Sequence, residues 1–296
     1  MSAPLSYFAV IAIWATTPLA IKLSNDSVSP LTALGLRTGL ALCVAALVVI
    51  IWRRESFFKR AHFKGYWLAS MSIFPNMPLV YFATDYIPSG LIAVMFGLSP
   101  FFVGVMAHFM LGESYFSLRR CFAQVLAVLG LVIIFIDQLA VDPAAGLGIL
   151  LMLCSITLYS YSLVAVKRQA LISSAPAFDQ AVGAMLLSMP GTVLCWYFLD
   201  GDTHIVLSAV SGYSIAYLAI VGSLIGFMAF YHVLNTMSVA MVSIIPMITP
   251  LIALWLGVAF AGENVSAYTV IGSLLILAGL GLYEGLFKSR MKLTGH

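Results

Sequence analysis

Residues 81–113, YFATDYIPSGLIAVMFGLSPFFVGVMAHFMLGE, return 150 positions later as residues 231–263, YHVLNTMSVAMVSIIPMITPLIALWLGVAFAGE. Aligned without gaps, Tyr81 falls on Tyr231, Asp85 on Asn235, Ser99 on Thr249, Pro100 on Pro250, Gly112 on Gly262 and Glu113 on Glu263. Identity between the two stretches is low. Their likeness lies in what coincides: a proline inside an apolar run and a Gly–Glu pair at its end. A displacement of 145 lays Trp14 on Tyr159 and Lys22 on Lys167. The chain therefore reads as two copies of one unit, 1–137 and 145–287, with a tail at 288–296.

Composition says where such units live. Of 296 residues, 62% are hydrophobic and only 8% are charged. Mean hydropathy is +1.07. A soluble domain carries about 25% charged residues, so this chain lacks the polar surface to fold in water. A helix crossing a bilayer takes about 20 mostly apolar residues. Ten such runs lie at 4–22, 30–52, 65–84, 87–110, 117–136, 145–166, 177–199, 211–236, 238–261 and 266–287. The joints at 85–87 and 236–238 are short enough to force antiparallel hairpins. Each unit holds five runs, and five is odd. The second copy therefore enters the membrane from the opposite side. The expected fold is an all-α integral membrane protein of ten transmembrane helices in two inverted five-helix repeats, an arrangement that many carriers share.

Charge orients the bundle. Arg53, Arg54, Lys59, Arg60, Lys64, Arg119, Arg120, Lys167, Arg168, Lys288, Arg290 and Lys292 all fall on the side shared with both termini. The opposite side has Lys22 alone, with Asp26, Asp85, Asp137, Asp142, Asp200, Asp202 and Glu263. Basic loops stay in the cytoplasm. The expectation is a multi-pass inner (plasma) membrane protein with both termini cytoplasmic. Residues 4–22 lack a basic start and a small-residue cleavage site, so they read as a retained first span rather than a cleaved signal.

Several function classes drop out. Cys43, Cys121, Cys154 and Cys195 sit in apolar spans, without metal or redox spacing. His62, His108, His204, His232 and His296 are scattered. No Gly-Lys-Ser/Thr phosphate loop occurs, so this chain alone does not hydrolyse ATP. No basic patch with interleaved aromatics points to nucleic acid. No cofactor and no metal are expected. The expected partners are the bilayer and a small-molecule substrate, with a monomer or a homodimer both open.

The residues already quoted, together with WATTPLAIK at 14–22 and GLRTG at 35–39, resemble the EamA branch of the drug/metabolite transporter superfamily. The likeness covers nearly the whole chain. It implies ten spans in two inverted halves, cytoplasmic termini and export of small metabolites such as amino acids. Two departures stand out. Thr16 and Thr17 replace the Gly and small polar residue common in the family, and span seven has no counterpart of Arg37.

Arg37 is the sharpest candidate. It lies about seven residues inside the second span, and a charge at membrane depth is costly unless paired or wet. Facing a cavity, it would anchor a substrate carboxylate; otherwise it snorkels or bonds the carbonyls of a broken helix. Gly35 and Gly39 flank it as a small-residue face suited to close packing. Pro100 and Pro250 are candidate hinges or gates, since proline frees a carbonyl and kinks a helix; tolerated kinks are the alternative. Pro18, Pro75, Pro78, Pro190 and Pro246 mark further breaks. Glu113 and Glu263 read either as charges at the next helix dipole, with Ser117 and Ser266 as caps, or as gates at the two mouths. Trp14, Thr17, Asn76, Tyr81, Tyr159 and Tyr231 are candidate substrate-binding residues.

No Asp or Glu lies mid-span, so a proton relay would fall to His108 or His232. Matched prolines, one-sided charge and inverted repeats converge on a secondary transporter working by alternating access. Amino acids are the first substrate class to test. Multidrug or cationic efflux is the alternative, and an intramembrane enzyme the alternative of another class.

Overall fold

The computed structural model describes residues 3–53, 59–112, 117–173, 175–201, 205–236, 245–262 and 265–285. The chain is helical throughout, with no strand among the described residues. In order, the helices are α1 (Ala3–Ser24), α2 (Pro30–Val48), α3 (Phe63–Ser70), α4 (Asn76–Ala83), α5 (Ser89–Phe96), α6 (Ser99–Leu111), α7 (Leu118–Val141), α8 (Ala145–Ala170), α9 (Ala177–Leu199), α10 (Ala209–Tyr217), α11 (Gly226–Thr236), α12 (Ile245–Ala261) and α13 (Ala267–Glu284). A π-helical turn, Val49–Arg53, extends α2, and an eight-residue π-helix, Leu218–Ile225, joins α10 to α11. Among the described residues, seven helical stretches are long and apolar enough to cross a membrane, and Ile248–Phe260 and Ala267–Tyr283 are shorter apolar helices.

The outer surface is what a bilayer would cover. Phe8, Ile50, Phe109, Phe122, Val128, Phe198, Trp255 and Phe260 are all exposed. A soluble monomer does not carry so much contiguous apolar surface. Cys43, Cys121 and Cys154 are exposed among them, and all four cysteines are free. The chain is an integral membrane protein.

Because lipid is as apolar as the core, helices associate by close approach and by buried polar contacts. α7 and α13 pack along their lengths. A Cβ at Gly130 would lie 2.4 Å from the Gly272 carbonyl oxygen, and one at Gly279 would lie 2.6 Å from the Ala123 oxygen. Elsewhere Gly183 seats the ring of Tyr66 and Gly191 the ring of Phe74. The Gly35–Gly39 face expected to pack closely does not: open space surrounds Gly35, and Gly39 meets only a Met189 methyl at 3.6 Å. Its smoothness has no backbone opposite it.

Helices at matched places in the sequence meet one another, α2 with α9 and α7 with α13, while α5 packs on α12, whose own counterpart under the displacement of 150 is α6. α1 lies against α11 and α12, while α8 lies against α4 and α6. Three helix N-termini are capped alike. Ser29, Ser208 and Ser266 each accept from the backbone amide three residues on, and each donates to a carboxylate from elsewhere: Asp200, Asp26 and Asp137 respectively. Gly112 and Gly262, at φ 70° and 62°, end α6 and α12 in the left-handed conformation, which glycine adopts at least cost. Ser117 and Ser266 do cap the helices that follow.

The prolines behave differently by place. The run expected at 65–84 is interrupted at 71–75, just before α4, and the run at 87–110 breaks at 97–98, just before Pro100. Pro100 sits in the first turn of α6, where the missing N–H costs nothing. Pro18, Pro190 and Pro250 instead lie within continuous helices. The joint at 236–238 runs beyond the described residues.

Candidate functional site: a central cavity with one buried arginine

The breaks and the π-helix share a neighbourhood. Ser72 from the interrupted stretch, Ser99 at the start of α6, Gly222 from the π-helix and Thr249 beside Pro250 all line one cavity of about 890 Å³, its mouth included. Where a helix is regular, its amides bond internally; where it breaks, backbone and short side chains turn toward the space. The walls otherwise are apolar and aromatic, with Trp14, Met77, Phe96, Tyr159 and Phe227 prominent.

Half of the described wall residues fall in pairs under the two sequence displacements. The displacement of 150 relates Ser72 to Gly222, Met77 to Phe227 and Ser99 to Thr249; that of 145 relates Trp14 to Tyr159. Arg37 is among the wall residues without such a partner. Arg37 lies on the wall and is 5% exposed. Its position in the second copy is held by Val182, which is buried and apolar.

The guanidinium is held from two sides. Nε donates to Ser223 Oγ at 2.8 Å, and Nη1 to Tyr81 Oη at 3.3 Å. Of its five N–H groups, two are used in these bonds. A Cβ at Gly222 would lie 3.6 Å from Nη2, so the glycine leaves room for that end of the fork. Thr17 and Ser72 donate to carbonyls of their own segments, Ile13 at 2.6 Å and Ala69 at 2.7 Å. Both still offer lone pairs to the cavity. Among the described residues, no Asp, Glu, His, Lys or Cys lines the cavity.

Of the residues expected at the site, Arg37, Trp14, Thr17 and Tyr159 line the cavity. Tyr81 is fully buried behind Arg37 and orients it. Asn76 does not line it. Its amide donates to the Ser72 carbonyl at 2.8 Å and accepts from Ser155 Oγ at 2.6 Å, tying α4 to α8. Tyr231 is also set back, stacked beside Phe227 with centroids 6.5 Å apart and next to Phe230. Pro100 and Pro250 enter through their neighbours Ser99 and Thr249. Glu113 and Glu263 lie outside the described residues. His108 and His232 are not on the wall. Sequence reading missed Ser72, Met77, Phe96, Gly222, Ser223 and Phe227. Extending the 150-residue displacement back past Tyr81 would have found two pairings, Ser72 with Gly222 and Met77 with Phe227.

A sequence profile of the EamA-like transporter family matches residues 1–136 and again 146–283. Among relatives, an uncharacterized transporter, YoaV, of Bacillus subtilis (strain 168) is 24% identical over 97% of this chain and 98% of its own. A probable amino-acid metabolite efflux pump of Escherichia coli (strain K12) is 22% identical over 92% of this chain and 91% of its own. A crystal structure superimposes with a TM-score of 0.70 over 98% of this chain and 99% of the other, at 18% identity. With both halves matched and the helices, breaks and cavity in place, the chain belongs to the EamA-like transporter family.

Proposed function

We propose that the chain is a secondary transporter of ten membrane-crossing helices in two inverted halves, 1–137 and 145–287. It carries small carboxylate-bearing metabolites out of the cell by alternating access, with amino acids the first class to test. Arg37 carries the reading: a buried cation on the wall of a mid-bundle cavity, held by two hydroxyls, with unused N–H groups left for a ligand. Charge in such a place is costly and marks a substrate path far more often than a scaffold. Reciprocal packing supports the inverted halves: α1 on second-half helices, α8 on first-half helices, and matched helices on each other. The one-sided basic loops support cytoplasmic termini.

The other readings have less behind them. Ring faces would welcome a cation, but Arg37 on the same wall repels it. An intramembrane enzyme needs a nucleophile and base or a ligand cluster within reach. Among the described residues, no group of three His, Cys, Asp or Glu converges, and relatives carry the names of transporters.

Reconstituted vesicles test the proposal. Arg37→Ala should lower substrate flux at least tenfold while the protein remains in the membrane. Unchanged flux in that variant retires the anchoring role. No substrate-dependent flux across a metabolite panel retires transport itself.

A further inference from the structure

Resting on that transport reading, we infer that the preferred cargo is a monoanion: a carboxylate with an aromatic or apolar body and no charged amine. Among the described residues, the cavity wall carries one positive charge and no negative one. Arg37 is buried, and both its partners, Ser223 and Tyr81, are neutral hydroxyls. A buried cation without a counter-charge is unfavourable. A carboxylate arriving at its free N–H groups supplies that charge and gains charge-assisted hydrogen bonds.

A zwitterion brings the same carboxylate and adds an ammonium that must leave water too. What awaits the ammonium is Thr17 and Ser72 lone pairs, the hydroxyls of Ser99 and Thr249, and ring faces of Trp14, Phe96, Tyr159 and Phe227. These attract a cation, but none neutralises it. No carboxylate is among the described lining residues to do so. The apolar body meets a better match. Ile21, Met77, Val80, Ile92 and Phe227 offer a wall that returns the cost of taking it from water.

Charge also bears on the driving force. Exit of an anion from a negative-inside cell runs down the membrane potential. Such a carrier works as a uniporter, needing no buried carboxylate as a relay, and none occurs mid-span. Exit of a zwitterion gains nothing from the potential.

Three probes with one body and different charges decide the matter: 3-phenylpropanoate, L-phenylalanine and 2-phenylethylammonium. Each is titrated against the purified full-length protein by thermal shift. Each is also loaded into proteoliposomes, with flux read above protein-free vesicles. The monoanion should half-saturate at a concentration at least tenfold below phenylalanine, and the ammonium compound should not compete. An inside-negative potential should speed exit of the monoanion severalfold and leave phenylalanine exit unchanged. Arg37→Gln should erase the preference, whereas Arg37→Lys should keep it at reduced affinity. Phenylalanine binding as tightly as the monoanion, or a preference surviving in Arg37→Gln, overturns the inference while leaving the transporter standing. No shift and no flux with any compound removes both.

Discussion

Gly222 and Ser223, side by side on the π-helix, set the position of the Arg37 guanidinium in the cavity. Ser223 fixes Nε, and Gly222 leaves space beside Nη2. The pair yields a graded test. A methyl at position 222 would meet Leu218 Cδ2 at 3.4 Å and Arg37 Nη2 at 3.6 Å, ordinary contact distances. Gly222→Ala should therefore transport almost normally. Gly222→Val adds branches that push the guanidinium aside, and flux should fall about tenfold at normal membrane abundance; equal flux in the two variants would remove Gly222 from the site. Ser223→Ala deletes one bond to a charged group, worth about 1.5–3 kcal/mol. Its expected signature is a severalfold higher KM with little change in kcat, read from initial rates.

At the scale of elements, caps and close approaches do the holding. Asp137 accepts from Ser266 at 2.5 Å and Thr269 at 3.0 Å, so a carboxylate sits at the N-terminus of α13. Both the cap and the helix dipole favour it. Asp137→Ala should lower the apparent melting temperature in detergent by an amount equivalent to about 1 kcal/mol, with flux per folded molecule preserved. Gly272→Val should do more, since even a Cβ there lies 2.6 Å from the Gly130 carbonyl. The two helices must separate, at a cost of about 1–3 kcal/mol. Thermal inactivation rates of purified variants compare the two directly; a wild-type rate for Gly272→Val would contradict the packing described. At the other end of α13, Arg119 Nη2 donates to the Tyr283 carbonyl at 3.3 Å, beside Gly285 in the left-handed conformation. A cation at a helix C-terminus is favourable, so this helix is secured at both ends by residues of or next to α7.

For the whole molecule, the proposed topology predicts that cytoplasmic reporters fused to either end are active and periplasmic reporters at both are silent. Opposite sides for the two ends would end the inverted-repeat proposal. The bilayer imposes the apolar runs, because an unpaired backbone group in hydrocarbon has no water to turn to. That constraint is local, and so the apolar runs, the charge asymmetry and the cost of Arg37 were all legible in one dimension. The breaks at 71–75 and 97–98 were legible only where proline announced them. The π-helix at 218–225 had no such marker. Asn76 and Tyr81 looked alike as polar residues in a span, yet one binds Ser155 away from the cavity and the other orients Arg37. Sequence by itself determined the helical class, the apolar runs and the arginine set inside one of them, since each follows from local composition and spacing. Which Ser, Thr and aromatic residues face that arginine was decided only by tertiary structure, because the facing walls come from segments about 150 residues apart and their side chains meet through packing that no local pattern encodes.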